Sequence, residues 1–397
     1  MKSYNIPIYI ENYLSISMTF IYRQLKPIDI GEKIILNSSK PENLDIFPFP
    51  QIYSKSKNIF ELLTLKFYEK ALRDKFFFSY YRVLSFSQKR YFSRIIDNLD
   101  IKFIHAHFGT GALEIYKIAK KYNKKLLISF HGFDASSLLK SKAYRNNLKK
   151  FFNSTYVIVP SAFMKERLEK EVGIPKQFYI IHYGIPLEFF DYVEKKEVNE
   201  KVRDNEKVVF LQISNFVEKK GHFYTVEAFA KLFKKYKNIQ LVLGGDGPTR
   251  GKVEKQVKSL EIESAVKFLG KVGQSQVKTL FSKADVFLHH SITAKNGDQE
   301  GIPNVIMEAM ATGLPVISTI HAGIPELITD AVNGYLVQEK DIGGYVEKMK
   351  YVLLNSQKSI MINARQTIES EFNLETQLKK LNKIYEYLLK DEYEDLK

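Results

Sequence analysis

The chain has 397 residues, 45% of them hydrophobic, with a formal net charge of +15 and no cysteine. That length exceeds one ordinary core and fits two domains of about 150–200 residues each; the missing cysteines exclude disulfides and thiolate metal sites, and no run of about 18 uncharged apolar residues offers a membrane span. The opening MKSYNIPIYIEN is interrupted by Glu11 and Asn12 before it can form a secretory signal, so the cytoplasm is the expected compartment, and the charge points to an anionic partner: nucleic acid, an acidic membrane surface or a phosphorylated substrate.

In chain order, apolar runs at Ile6–Ile10, Lys33–Leu36, Lys102–His107, Leu126–Phe130, Tyr156–Val159 and Phe178–His182 predict strands. Amphipathic stretches of helix length, such as Leu113–Tyr122 and Ala162–Glu171, lie between several of them. The alternation predicts a mostly parallel α/β sheet, in which ligands bind beyond the carboxyl ends of the strands. His107 in HAHFGTG and His131 in ISFHGFD fall at such ends, each followed closely by a glycine. Phe60–Arg94 breaks the rhythm with Lys66, Lys70, Arg73, Lys75, Arg82, Lys89, Arg90 and Arg94 set among many aromatics. Two readings stay open: a basic stretch lying on anionic lipid, or two helices packing aromatics inward with their lysines in solvent.

From Asp191 to Lys207 the sequence DYVEKKEVNEKVRDNEK is charged and nearly free of large apolar residues, which predicts a domain boundary. Residues 1–190 then form one domain, 191–372 a second, and 373–397 a closing helix, its apolar positions at helical spacing over Leu374–Leu389. Strands are expected again at Val208–Ser214, Ile239–Gly244, Val266–Leu269, Val286–His289, Val316–Ser318 and Gly334–Val337.

Chemistry concentrates in this second half. QISNFVEKKGH places Lys219 and Lys220 after a strand and before Gly221 and a helix, an arrangement suited to a diphosphate. LVLGGDGPTR is a glycine-rich turn without the Walker lysine. In EGIPNVIMEAMATGLPVISTIHAGIP, Glu300 precedes a helix opened by Pro303 and Asn304 and stopped by Gly313 and Pro315. Asn304 and Glu308 are four apart and share a helical face, and the helix start favours an anion. No His-Glu-x-x-His and no Asp-x-Asp occurs, so a metal held in either way is not expected. Of His289 and His290, neighbours on a strand, one is expected in the core and one in a cleft; His182, His222 and His321 are expected to be structural or solvated.

The Glu300-x7-Glu308 pair, followed by AGIPELI (Ala322–Ile328) and preceded by VEKKG, GGDGP and FHGFD in that family's order, resembles the family-4 retaining glycosyltransferases. The resemblance runs from about Ile101 to the C-terminus, and SMTFIYRQL (Ser17–Leu25) is similar to the start of polysaccharide-assembly members. It implies an α/β fold of the GT-B type, two Rossmann-like domains facing a cleft with the last helix crossing back to the first. It also implies metal-independent hexosyl transfer from a nucleotide-sugar, UDP-linked by family frequency, with no cofactor beyond that co-substrate. By the same resemblance Glu308 would hold the ribose, Glu300 and the backbone of Gly301, Ile302, Pro303 and Asn304 the sugar, Lys220 the departing diphosphate, and Gly270 the base. His131 would hydrogen-bond the sugar near the reacting carbon, and His107, Gly109 and Thr19 would line the acceptor side. Asn215 stands where the family usually has an arginine, so Lys219, Arg250 or a residue of the first domain must supply that charge.

The implied acceptor is an oligosaccharide, in particular one linked to polyprenyl diphosphate, in surface polysaccharide assembly. Residues 60–94 would then meet an anionic membrane surface, holding the protein peripherally at the inner face of the cell membrane. A nucleotide-sugar epimerase or phosphorylase on the same fold is the first alternative. A nucleic-acid-binding protein is the second, but it lacks base-contacting motifs and leaves the two glutamates idle.

Overall fold

Strands form where β-branched and aromatic residues run together. A computed structural model describes residues 4–13, 18–57, 61 and 84–390, and the chain divides into two compact units, residues 1–184 with 377–397, and residues 185–376. The first unit holds β1 (Asn5–Ile10), β2 (Glu32–Asn37), β3 (Gln51–Ser54), β4 (Phe103–His107), β5 (Lys125–Ser129), β6 (Tyr156–Val159) and β7 (Gln177–Ile180) in one parallel sheet, ordered β3-β2-β1-β4-β5-β6-β7. β3, which the apolar pattern does not disclose, is a half-buried edge strand paired in register with β2. The helix Gly109–Lys121 begins four residues before the expected Leu113. Its first residue must be glycine, because a Cβ there would lie 2.0 Å from the Tyr144 hydroxyl.

The closing helix Leu374–Leu389 joins this first unit from Gln377 onward. Leu381, Ile384, Tyr385 and Leu388, spaced to share one face, enter a core with Ile8, Ile35, Phe103 and Leu127. The buried Tyr385 hydroxyl lies 2.6 Å from His105 Nδ1, and His105 Nε2 lies 2.7 Å from the Ser129 hydroxyl, so both ring nitrogens are satisfied away from water.

The second unit holds β8 (Val208–Ile213), β9 (Ile239–Gly244), β10 (Val266–Gly270), β11 (Val286–His289), β12 (Val316–Thr319) and β13 (Tyr335–Val337), all parallel, ordered β10-β9-β8-β11-β12-β13. The charged run 191–207 lies inside this unit, and the division falls earlier, between Gly184 and Ile185. Val198 is buried; Lys201 Nζ sits 2.7 Å from Asp285 Oδ1, and Lys195 Nζ donates to the Ala284 carbonyl at 2.6 Å. Lysine stems pack while their heads find partners, so a polar composition here does not make a linker.

Each sheet reverses its strand order beside its first strand, between β1 and β4 and between β8 and β11. In open parallel sheets those switch points are where loops diverge and ligands enter. These are two Rossmann-like α/β domains. Residue 60 and residues 62–83 of the basic aromatic stretch lie outside the described residues. Its end forms the helix Phe86–Asn98, capped by Ser85 and Gln88 in a reciprocal capping box. Among the described residues no helix is long and apolar enough to cross a membrane.

Candidate active site

At the second switch point the loop leaving β8 is pressed against the end of β11. Gly221 has φ +58°, and a Cβ there would stand 1.7 Å from the His290 carbonyl oxygen. The glycine therefore serves a backbone-to-backbone approach within the protein. The Ile292 N–H donates to the Lys219 carbonyl at 2.9 Å across the same seam.

This lacing brings two lysines onto two carboxylates. Lys220 Nζ lies 2.6 Å from Glu300 Oε1, with the side chains only 16% and 10% exposed, and Lys219 Nζ lies 3.0 Å from Asp298 Oδ2. The Lys220 contact has ion-pair distance without hydrogen-bond alignment, since Glu300 Oε1 has no hydrogen-bond partner. Burial alone would raise the Glu300 carboxyl; Lys220, then Lys219, overcome it and hold the group at about 2. Asp298 was not foreseen.

Glu300 is also fixed through its backbone. Its N–H donates to His321 Nε2 at 3.1 Å, while His321 Nδ1 lies 2.6 Å from Glu339 Oε1. Those partners set the neutral tautomer, with the proton on Nδ1. Glu339 further accepts from the Thr293 N–H at 2.8 Å and the Thr293 hydroxyl at 3.0 Å. His321, expected to be merely structural or solvated, is thus the bracket of the Glu300 loop; its partner lies 18 positions on, a spacing no motif carries.

Both His289 and His290 are buried, against the expectation of one in core and one in cleft. His290 Nε2 accepts from the Lys340 N–H at 3.0 Å. Neither ring nitrogen of His289 has a hydrogen-bond partner among the described residues. Burial first, then Lys220, depresses its protonation. Gly301, Ile302 and Pro303 are buried and lead into the helix Asn304–Ala311, on which Asn304 and Glu308 are both half-buried. Gly313 (φ +81°) ends it beside the Tyr192 ring, 2.5 Å from a built Cβ.

The glycine-rich turn after β9 is a packing turn. Built Cβ atoms at Gly245 and Gly247 would lie 2.0 Å from the Ser214 and 2.6 Å from the Phe216 carbonyl oxygens. Gly270, at φ +73°, closes β10 and accepts from the Gly245 N–H at 2.7 Å. Asn215 is exposed after β8. Of the cations weighed for its missing charge, Lys219 already faces Asp298, and Arg250 Nε donates to Glu254 Oε1 at 2.8 Å.

In the first unit the histidines form a line. His107 Nδ1 lies 2.9 Å from His131 Nε2, and His131 Nδ1 lies 3.0 Å from the Tyr183 hydroxyl. Burial drives His107 down to about 3 and His131 well below its usual range, so both rings are neutral. The buried Asp134 accepts from the His131, Gly132 and Gly109 N–H groups at 2.9, 3.1 and 2.9 Å. It ties the ends of β4 and β5 together, although burial pushes its carboxyl up to about 6. Thr19 opens the helix Thr19–Leu25 and is half-buried; the next residue, Phe20, packs on the His131 and Tyr183 rings. Among the described residues no group of three or more histidine, aspartate or glutamate side chains is placed to hold a metal ion.

Two glycosyltransferase family models match the chain. Residues 193–367 match the family model of glycosyl transferases group 1, and residues 65–189 match that of Glycosyltransferase Family 4. The chain belongs to the family-4 glycosyltransferases. This glycosyltransferase is 28% identical over 298 residues to the amylovoran biosynthesis glycosyltransferase AmsK of Erwinia amylovora, covering 73% of this chain and 70% of that one. It is 29% identical over 275 residues to the putative colanic acid biosynthesis glycosyltransferase WcaL of Escherichia coli, covering 68% and 66%. Among solved structures, a Rickettsia africae glycosyltransferase superposes with a TM-score of 0.75 at 21% identity, covering 98% of this chain and all of that one. Anabaena Alr3699/HepE, crystallised with UDP and glucose, superposes at 0.76 and 16% identity, covering 97% and 100%. At those identities the likeness is one of fold, and the fold is GT-B.

Proposed function

We propose that this glycosyltransferase acts with retention of configuration and without a metal ion, moving a hexose from a UDP-sugar to an oligosaccharide carried on polyprenyl diphosphate, in assembly of a surface polysaccharide. The observation that carries the reading is the Lys220–Glu300 pair at the switch point of the second unit, directly ahead of the helix Asn304–Ala311. A donor diphosphate would replace Glu300 as the counterion of Lys220, with the helix start assisting. Glu300, released, would accept from sugar hydroxyls, and Glu308 would accept from the ribose. As the bond from the anomeric carbon to the diphosphate oxygen breaks, the electron pair leaves with that oxygen, where Lys220 stabilises it. The acceptor hydroxyl bonds to the same face and gives its proton to the departing phosphate. His131 can serve the sugar only by exchanging a bond, since both its ring nitrogens are engaged.

UDP is favoured by the ligand of the Anabaena structure, and a polysaccharide by the names of the Erwinia and Escherichia relatives. A lipid-linked acceptor would place the protein peripherally at the inner face of the membrane. Thermal shift against a panel of nucleotide-sugars, with and without EDTA, tests donor and metal together: a response to UDP-sugars unchanged by EDTA is expected, and no response to any donor overturns the reading. Glu308→Gln should weaken the shift, and product NMR should show the donor's anomeric configuration. Donor incubated alone should stay intact; isomerisation without acceptor would instead reveal an epimerase.

A further inference from the structure

The helices Phe86–Asn98 and Gly109–Lys121 flank β4 in sequence and enclose a groove of about 440 Å³ on the first unit. Lys89, Arg90 and Arg94 line it from one helix and Lys117 and Lys121 from the other, with two acids, Asp97 and the buried Glu114, among them. Arg90 and Arg94 are four apart, as are Lys117 and Lys121, a spacing that sets each pair on one face of its helix. Among the described residues Lys89, Arg90, Arg94 and Lys117 have no ion-pair partner, whereas most basic residues of the second unit's site are paired. Phe86, 80% exposed, lines it as well.

The floor supplies a second, independent observation. Glu114 lines the groove yet is only 4% exposed. Its Oε2 accepts from the Tyr9 and Ser38 hydroxyls, the latter at 3.0 Å, while its Oε1 is buried without a partner. Burial, then the nearby Glu11, raises its carboxyl to about 8, so at neutral pH it bears a proton and does not cancel the cations above it. Five cations over an uncharged hydrogen-bonding floor make a site for phosphate oxygens.

We infer that this groove seats the phosphate of an anionic phospholipid, with Phe86 entering the boundary between headgroups and acyl chains. Lipid is favoured over a free phosphate because five cations from two helices line the groove, more than one dissolved phosphate engages, and because the exposed Phe86 beside them pairs an apolar side chain with that charge as a membrane boundary requires. The inference deepens the lipid-linked acceptor reading and rests on it only for why the membrane should be approached.

Flotation of the full chain with phosphatidylcholine vesicles, with and without about one-third phosphatidylglycerol, tests it. The wild type should float only with the anionic vesicles. Arg90→Glu/Lys117→Glu should lower binding by at least about tenfold, since each basic residue near such a surface contributes roughly fivefold. Lys255→Glu/Lys258→Glu, an equal change in charge on the helix Arg250–Ser259 of the second unit, should stay within about twofold of wild type. Arg94→Ser/Lys121→Ser, which adds no acid, repeats the test should the first pair not fold. Absence of flotation, or equal loss in groove and control variants, would overturn the inference, as would release by inorganic phosphate at constant ionic strength. Donor-induced thermal shift of the same proteins reads a site that none of these substitutions touches, so its failure would strike the donor assignment and leave the groove standing.

Discussion

Replacing Lys220 by glutamine should destabilise the second unit through the carboxylate it leaves behind. Glu300 is 10% exposed and its carboxyl is held at about 2 where 4.5 is ordinary. That difference of about 2.5 units corresponds to roughly 3 kcal/mol favouring the charged, folded form. Lys219 remains nearby and retains part of it, so the expected loss for Lys220→Gln is about 2 kcal/mol. Glu300→Gln/Lys220→Gln removes both charges and should recover most of that loss, a coupling of about 1–2 kcal/mol in a double-mutant cycle. Urea unfolding gives the energies, and amide exchange along β8 and β11 assigns them to the right unit. A depressed carboxyl contributes stability that is full above its unfolded value, about 4.5, and is lost as pH falls through its folded value, about 2. The wild type's advantage over Lys220→Gln should therefore narrow below about pH 4.5. A cost under about 0.5 kcal/mol at pH 7, or a double variant as weak as the sum of the singles, would refute the electrostatic account of this pair.

Other consequences are as direct. Gly221→Ala sets a Cβ 1.7 Å from the His290 carbonyl at φ +58° and should lower the melting temperature of the second unit sharply, whereas Gly251→Ala, with open space around it, should not. Tyr385→Phe leaves His105 Nδ1 buried without its partner and should cost about 1–3 kcal/mol of first-unit stability by urea unfolding; a neutral result would mean water replaces the hydroxyl. His321→Ala frees the Glu300 N–H and should reduce donor-dependent turnover by about tenfold or more; His321→Gln, whose amide oxygen can accept that N–H, should restore part of it, and equal loss in both would deny the bracket. Glu114 has a raised carboxyl, so its contribution to stability is full below about 4.5 and lost as pH rises through about 8. Glu114→Gln should flatten that stretch of the stability profile, and an unchanged profile would contradict it.

Sequence reasoning reached the sheet content because parallel strands buried on both faces read as unbroken apolar runs: Tyr156–Val159, Ile239–Gly244 and Val286–His289 are strands over their expected bounds. It missed Gln51–Ser54 because an edge strand buried on neither face carries no such run. Composition misled at residues 191–207, where ion pairs and buried lysine stems fold a charged stretch into the second unit. Glu300 and Lys220 were legible through local spacing around a helix start. Asp298, His321 and Glu339 were not, since what joins them is the convergence of three loops at the carboxyl ends of β11, β12 and β13. Ala322 at φ +47° was equally hidden: a non-glycine residue in left-handed backbone marks a sharp turn that only coordinates reveal.

The two lysine–carboxylate pairs also bear on how a charged ligand would be felt from solution. Because Lys219 and Lys220 carry carboxylates of the protein itself, a diphosphate bound there as proposed would displace Glu300 and Asp298, and few dissolved ions would be released. Donor affinity should then vary only weakly with ionic strength, unlike that of a site whose cations face water. The displaced Glu300, still buried but deprived of its cation, becomes a better proton acceptor, so in mildly acidic buffer binding should draw protons from solution. Calorimetry in buffers of different ionisation enthalpy would register that uptake as a heat that changes with the buffer.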